Sequence, residues 1–405
     1  MKNLQHRVLP ILLLLLPAAA HAALAPVGAP LVIADGAPCS FIAEVDVTST
    51  PKGAFEVVWV DDWDEVVKSQ RFARNLVPNP IVNLMPLHGG LLAFDIVGTW
   101  AGRYESAMNV LDFGEDPDDP FAAYRVQLDT EGHPLAAPVR SEIRDYFRLS
   151  PASGGDSLRI RIEPPYFGPP TCQSVGLLAR RVDLDGTPLS AESRITRKAS
   201  AWAGSYLETD RLPNDSFIAA YATCEKFLGV VARRLSPTGV PLGKPINLTF
   251  PAGVGFFADG NLVLAARGPA DFAVAAMVRS PTGTISGAYT RGVVNGQAFG
   301  PTSITAPAPL GVSGVVDLAA SSTGRYLLLF QGVTSTRRVL FAQELDAKGV
   351  PQGAPLAITG DDEFSATGTV ASLPDGRWIV IARTHQSGPD ETCTERLVGT
   401  ILGGS

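Results

Sequence analysis

The acidic residues of this chain are clustered in a way that could do chemistry. Asp61, Asp62, Asp64 and Glu65 form one group, Glu115, Asp116, Asp118 and Asp119 a second, Asp390, Glu391 and Glu395 a third, and Asp361-Asp362-Glu363 a fourth. Grouped carboxylates repel one another unless a cation or a basic partner screens them. Their hard oxygen atoms suit Ca²⁺ rather than Zn²⁺, and Glu115-Asp116-Pro117-Asp118-Asp119 is the densest candidate for such a metal site. The plainer reading is a set of solvated loop carboxylates. Trp63 stands among the acids of the first group, where it could stack on a sugar or peptide, or simply pack on a neighbouring element.

Other catalytic signatures are sparse. Three histidines follow the leader: His88, His133 and His385. His385 is near Asp390 and Glu391 and could assist a metal or act as a base, whereas His133 sits in a turn whose sister copies carry Thr or Val. No Gly-x-Ser-x-Gly nucleophile elbow occurs. Glycosidase chemistry needs two carboxylates at a fixed separation across a cleft, and the acidic groups offer too many candidates to name a pair.

The elements that must position these residues are written as a repeat. Asp129-Thr130-Glu131-Gly132-His133-Pro134-Leu135, Asp183-Leu184-Asp185-Gly186-Thr187-Pro188-Leu189, Ser236-Pro237-Thr238-Gly239-Val240-Pro241-Leu242 and Asp346-Ala347-Lys348-Gly349-Val350-Pro351 are copies of one turn, with a degenerate copy at Ser280-Pro281-Thr282-Gly283-Thr284-Ile285. Each follows an apolar strand and precedes a short one. A strand-rich period of roughly 55 residues points to a β-propeller. Stacked β-sandwiches would need about 100 residues per unit and would not repeat at this interval.

Near-continuous apolar runs mark central strands, buried on both faces, at Phe55–Val60, Leu158–Ile162, Phe217–Ala222, Asn261–Arg267, Arg325–Gln331 and Arg377–Arg383. Blade 2 is least regular, with strands near Leu91–Val97 and Ser106–Phe113. In blade 6, Gly314–Ala320, Val339–Leu345 and Ala354–Ile358 complete the four strands. The blades then run 36–84, 85–143, 144–196, 197–249, 250–305, 306–359, and 360–403 with 27–35, about seven of them, with six or eight left open by blades 2 and 5.

The last unit lacks a fourth strand, and Gly28-Ala29-Pro30-Leu31-Val32-Ile33 matches Gly353-Ala354-Pro355-Leu356-Ala357-Ile358 closely. The N-terminal strand is therefore expected to complete the last blade and close the ring, which removes an open sheet edge. In this register Cys172 and Cys224 fall in second-to-third-strand loops of adjacent blades, and Cys393 begins the strand beside which Cys39 lies. The expected disulfides are Cys172–Cys224 and Cys39–Cys393, against the alternative of free buried thiols.

Residues 1–22 read as a secretory signal peptide: Lys2 and Arg7, an apolar stretch from Val8 to Leu16, then Ala20-His21-Ala22. The expected mature chain, 23–405, is a single exported propeller domain, periplasmic or extracellular, without a membrane span and monomeric. Losing Lys2 and Arg7 takes its formal charge from −7 to about −9. With no basic stripe, nucleic acid is an unsuitable partner.

The order of third strand, Asp-x-x-Gly-x-Pro-Leu turn, fourth strand, then an Asp-Gly turn and a Val- or Trp-rich strand resembles that of secreted bacterial β-propeller repeat proteins, over 27–403. The resemblance implies the seven-bladed architecture. It implies no single function, because such propellers include binding modules, scaffolds and enzymes. The chain lacks a Ser-x-Asp-x-Gly-x-Thr-Trp box, repeated Trp-Asp endings and a complete Asp-x-Asp-x-Asp-Gly calcium loop. The reading that follows is a non-enzymatic binding or scaffold module. It would act through a loop-rich face bearing Asp61, Asp62, Trp63, Asp64, Glu65, Asp390 and Glu391, with a protein or glycan as partner. The alternative is an extracellular saccharide hydrolase or lyase using carboxylates at a central pocket.

Overall fold

The computed structural model describes residues 24–403 except 39–41, 62–63, 87–90, 99–103, 112–120, 143–146, 153–155, 164–173, 184, 201–206, 213, 224–228, 251–261, 280–284, 335–336, 361–366 and 388–392. All regular structure among the described residues is strand. No helix there is long and apolar enough to cross a membrane.

The strands fall into consecutive antiparallel sets. The first is Ile42–Ser49, Phe55–Asp61, Val66–Phe72 and Val82–Pro86, and the second Leu91–Gly98, Tyr104–Leu111, Phe121–Leu128 and Val139–Glu142. The third, Phe147–Pro151, Ser157–Glu163, Ser174–Val182 and Ser193–Ser200, is joined to the fourth only by the pair Ala199 and Thr223. That fourth set is Leu207–Arg211, Phe217–Thr223, Gly229–Leu235 and Pro241–Leu248. Leu262–Gly268, Asp271–Arg279, Ile285–Val294 and Gln297–Ile304 make the fifth. The sixth is Gly311–Ala320, Tyr326–Val333, Arg338–Leu345 and Leu356–Ala357. The last is Thr367–Ser372, Trp378–Ser387 and Cys393–Gly403, with Ala25–Pro26 and Leu31–Pro38 both paired to Cys393–Gly403. Leu31 lies opposite Gly399, so the N-terminal strand takes the outer position that Leu356–Ala357 holds in the sixth set.

In the fourth set the second strand carries no alternation because both faces are covered: every residue of Phe217–Thr223 is buried, whereas Ser157–Glu163 of the third set alternates. The even-numbered side chains Leu158, Ile160 and Ile162 pack on Phe217, Ala219 and Tyr221 of the next set. Ile218, Ala220 and Ala222 of that set in turn pack on Phe272, Val274 and Ala276. Along these seams one sheet serves as the core of the next. Ile379 and Ile381 of the last set close on Phe55, Val57 and Trp59 of the first.

The repeated turn works as a latch between sheets. In each copy the glycine has positive φ, +90° at Gly132, +91° at Gly186, +84° at Gly239 and +69° at Gly349, which an L side chain adopts only at a cost. The leading Asp or Ser organises the loop, as when the Asp129 Oδ1 accepts the N–H groups of Glu131 and His133. The turn then docks on the preceding sheet. Arg181 donates to the carbonyl of Pro237 at 3.1 Å, Asn79 to that of Glu131 at 2.9 Å, and Thr290 to that of Gly349 at 2.8 Å.

Several expectations are corrected. Asn261–Arg267 is not a central strand: Leu262–Gly268 is the first of its set, and Asp271–Arg279 is the second. The degenerate copy at 280–285 accordingly falls between the second and third strands. A two-residue hairpin at Asn295 and Gly296, both with positive φ, takes the place of the Gly-x-Pro turn in this set. The second set's strand begins at Tyr104 rather than near Ser106, with positions 112 and 113 outside the described residues, and Ala354–Ile358 contracts to Leu356–Ala357. A copy of the turn that sequence reasoning missed lies at Ala73–Pro78. It has the same hydrogen bonds, Ala73 N–H to Val77 and Leu76 N–H to Ala73, but Leu76 holds the glycine position at φ +67°.

Candidate functional site

In an antiparallel set, second-to-third-strand loops share one face with the connections between sets, and the tight turns occupy the other. Asp61, Asp64 and Glu65 lie on the first of these faces, where the sequence register also expects the other acidic groups. Of the residues named on it, Asp62, Trp63, Glu115, Asp116, Asp118, Asp119, Asp390 and Glu391 lie outside the described residues, as do Asp361, Asp362 and Glu363. Cys39, Cys172 and Cys224 also lie outside them, and of Cys393 only the backbone is described. No group of three or more His, Cys, Asp or Glu residues among the described ones is placed to hold a metal.

Asp61 ends the strand Phe55–Asp61, and Asp64 and Glu65 lead into the next, Glu65 with φ +51°. Lys68, on that returning strand, reaches back to both aspartates, 2.8 Å from Asp61 and 2.5 Å from Asp64. Burial is the largest single influence on the Lys68 ammonium and pulls its pKa down, but the two carboxylates together outweigh it and raise it. The first acidic loop therefore neutralises part of its own charge, a pairing unforeseen because Lys68 is separated from the acids by the turn.

The last set meets this loop. Glu395, 4% exposed, accepts the amide hydrogen of Ile42 at 2.5 Å. Ile42 is the register partner of Asp61, and the guanidinium of Arg383 donates to the Ile42 carbonyl. His385 lies directly across the ladder from Glu395. Ile42 thus links Glu395, through its amide, to the strand that ends at Asp61.

A second set of acids, on the innermost strands, went unnoticed in the sequence. Asp317 accepts three hydrogen bonds: Leu318 N–H at 2.7 Å, Val370 N–H at 2.7 Å and the Thr369 hydroxyl at 2.8 Å. The Thr369 hydroxyl is also 3.2 Å from Asp46, which accepts its own neighbour's N–H from Val47 at 2.7 Å. Asp210 accepts the N–H of Ala266 at 2.6 Å. Ser49 donates to the carbonyl of Ser372, and Ser150 is bonded to Thr209. These polar side chains bridge one inner strand to another. Their only signal was a lone acid in an apolar strand, as in Val45-Asp46-Val47 and Val316-Asp317-Leu318.

Asp61 and Asp64 are matched by the Lys68 ammonium, and Glu395, Asp46, Asp210 and Asp317 by backbone N–H groups, contacts that fix geometry. Asp46 and Asp317 are brought to a common hydroxyl, that of Thr369.

No protein-family model and no curated protein sequence matches the chain. Solved structures do. The polysaccharide lyase PL25-Ulvanlyase, bound to -[GlcA(1-4)Rha3S]-, aligns with a TM-score of 0.50 and 13% identity, over 94% of this chain and 95% of that one. The β-propeller domain of the Trilobed protease from Pyrococcus furiosus aligns with a TM-score of 0.49 and 9% identity, over 90% and 97%. An Aleuria aurantia lectin aligns with a TM-score of 0.41 and 9% identity, over 88% and 94%. At such identities the likeness concerns fold alone. The consecutive sets of antiparallel strands, with the last set packed on the first, make the chain a β-propeller.

Proposed function

We propose that the chain is a non-enzymatic, seven-bladed propeller, closed by its N-terminal strand, that serves as a binding or scaffold module. The partner docks on the face carrying the loops between second and third strands. The observation that carries this reading is the use made of the carboxylates. Asp61 and Asp64 hold Lys68, Glu395 holds Ile42, and Asp210 and Asp317 hold the backbone of neighbouring inner strands. Acids held in this way act as acceptors that fix the shape of the surface. Closure is supported by the pairing of Leu31–Pro38 with Cys393–Gly403 and by the packing of Thr367–Ser372 on Ile42–Ser49.

Two disulfides belong to the same reading. Pro38 is the register partner of Thr394, so one further step sets position 39 against position 393. The Cys172–Cys224 bridge rests on the sequence register, which puts both residues between second and third strands of adjacent sets. Export through the 1–22 leader supplies the oxidising compartment.

A second reading is favoured by one observation, the approach of Asp46 and Asp317 to the single hydroxyl of Thr369. In it the two acids act on an extracellular saccharide as a hydrolase or lyase. The test incubates the oxidised protein with acidic and neutral polysaccharides and measures both retention and new chain ends. Retention without new ends supports the module. New ends that disappear in Asp46→Asn contradict it and establish the second reading.

A further inference from the structure

In four of the sets the fold places an apolar side chain at one shared position. There the second residue of the second strand faces the next sheet and lies under that sheet's contribution to the seam. Leu158, Ile218, Leu327 and Ile379 occupy it, opposite Arg181, Arg234, Glu344 and Ile401, and all four are buried. Over Leu158 sits Gly239 of the following turn, so closely that a Cβ there would be 3.1 Å from the leucine Cδ1.

The first sheet has Glu56 instead. It is 0% exposed, and neither carboxylate oxygen has a hydrogen-bond partner. Gly132, at φ +90°, covers it as Gly239 covers Leu158, and a Cβ on Gly132 would stand 3.0 Å from the Glu56 Oε2. On the same face, Ser69 Oγ and the Nε of Arg71, the register partner of Glu56, are likewise buried without partners. The rest of this seam is apolar: Val58, Val60, Val67, Val126 and Leu128.

We propose that Glu56 is a proton-operated latch between the first and second blades. Protonated, it is a neutral group that the Asp129–Pro134 turn can cover. Deprotonated, it places beneath that turn a charge that Ser69 and Arg71 offset only in part, and the turn lifts to admit water. A buried charge without partners is far costlier than a buried neutral acid, so the group sheds its charge rather than its cover. The charged groups facing it are Arg71 from the adjacent strand and Asp129 from the turn, while Glu131 and His133 are on the exposed side of that turn. Arg71 already supplies positive charge, which disfavours a metal cation as the neutralising species. Burial is the largest influence and raises the Glu56 pKa from 4.5 to about 8; Ser69 and Arg71 oppose it, and Asp129 adds to it.

The sign follows from linkage. Between 4.5 and about 8 the folded chain holds a proton that the unfolded chain has released, so stability falls as pH rises through that window and levels off above it. The test is urea unfolding of the wild type and Glu56→Gln, the neutral isostere, across this range. The wild-type folding constant, relative to Glu56→Gln, should fall by up to about tenfold per pH unit and then level. A ratio that stays constant overturns the proposal. Should Glu56→Gln fail to fold, infrared spectroscopy of the wild type decides. A protonated-carboxyl band at neutral pH that is lost on alkalinisation supports the latch, and the absence of such a band overturns it. Amide exchange localises the opening. Protection of Gly132 and Leu135 should fall at high pH relative to Gly239, whose turn covers Leu158, and equal behaviour of the two turns overturns the latch.

Discussion

The carboxylate of Glu395 accepts the amide hydrogen of Ile42 across 353 positions of sequence. The bond joins the last strand of the chain to the first strand of the first sheet, and Arg383 holds the carbonyl of the same peptide residue. Both polar groups of Ile42 are thereby satisfied by side chains of the last sheet.

Removing this acceptor should weaken the junction measurably. Glu395→Ala strands a buried N–H, a loss of about 1–3 kcal/mol, while Glu395→Gln keeps an acceptor and loses less. Denaturant midpoints compared at equal slope check the order.

The inner-strand acids should behave as staples. Asp317→Ala removes the acceptor of Val370 N–H and Leu318 N–H together and should destabilise by about 2–4 kcal/mol. On the module reading it leaves ligand retention unchanged at temperatures where the variant is folded. Thermal unfolding and retention measured on one preparation separate the two effects.

Much of this architecture is legible in the sequence because one backbone requirement recurs. The latch turn needs positive φ, glycine meets that need most cheaply, and proline follows at a fixed offset, so Gly132, Gly186, Gly239 and Gly349 advertise their turns. Where another solution is used, the signal fails. Leu76 adopts the same conformation without glycine, and the Asn295–Gly296 hairpin removes the turn from the fifth set, which shifted the reading of Asn261–Arg267 by one strand. At the candidate site, loop acids were visible as a cluster. Their neutralisation by Lys68, and the role of Asp46, Asp210 and Asp317 as acceptors, depend on which strands become neighbours, and composition carries no record of that.

The latch turns give a paired prediction. Gly349→Ala and Gly353→Ala both place a methyl group at positive φ, +69° and +68°. At Gly353 nothing lies within 4 Å, whereas at Gly349 the Cβ would be 2.6 Å from Phe299 Cε2. The first change should therefore cost about 2–4 kcal/mol and the second about 1 kcal/mol. Urea midpoints of the two variants report the difference directly.

The bridge proposed at positions 39 and 393 closes nearly the whole chain. Chain-entropy arguments give such a loop about 6 kcal/mol as an upper bound. Peptide mapping of the unreduced protein should recover Cys39 linked to Cys393 and Cys172 to Cys224. Cys39→Ser should lower the melting temperature of oxidised protein and leave reduced protein unaffected.

The most direct test of the module reading uses a ligand recovered from the retention screen. Its affinity is measured at low and high salt for the wild type and for a variant with Glu65→Gln, Asp390→Asn and Glu391→Gln, and the ligand is weighed before and after. The account predicts binding that weakens with salt and with the three neutralisations, and a ligand of unchanged mass. A shortened ligand, or binding indifferent to all three substitutions, would contradict it.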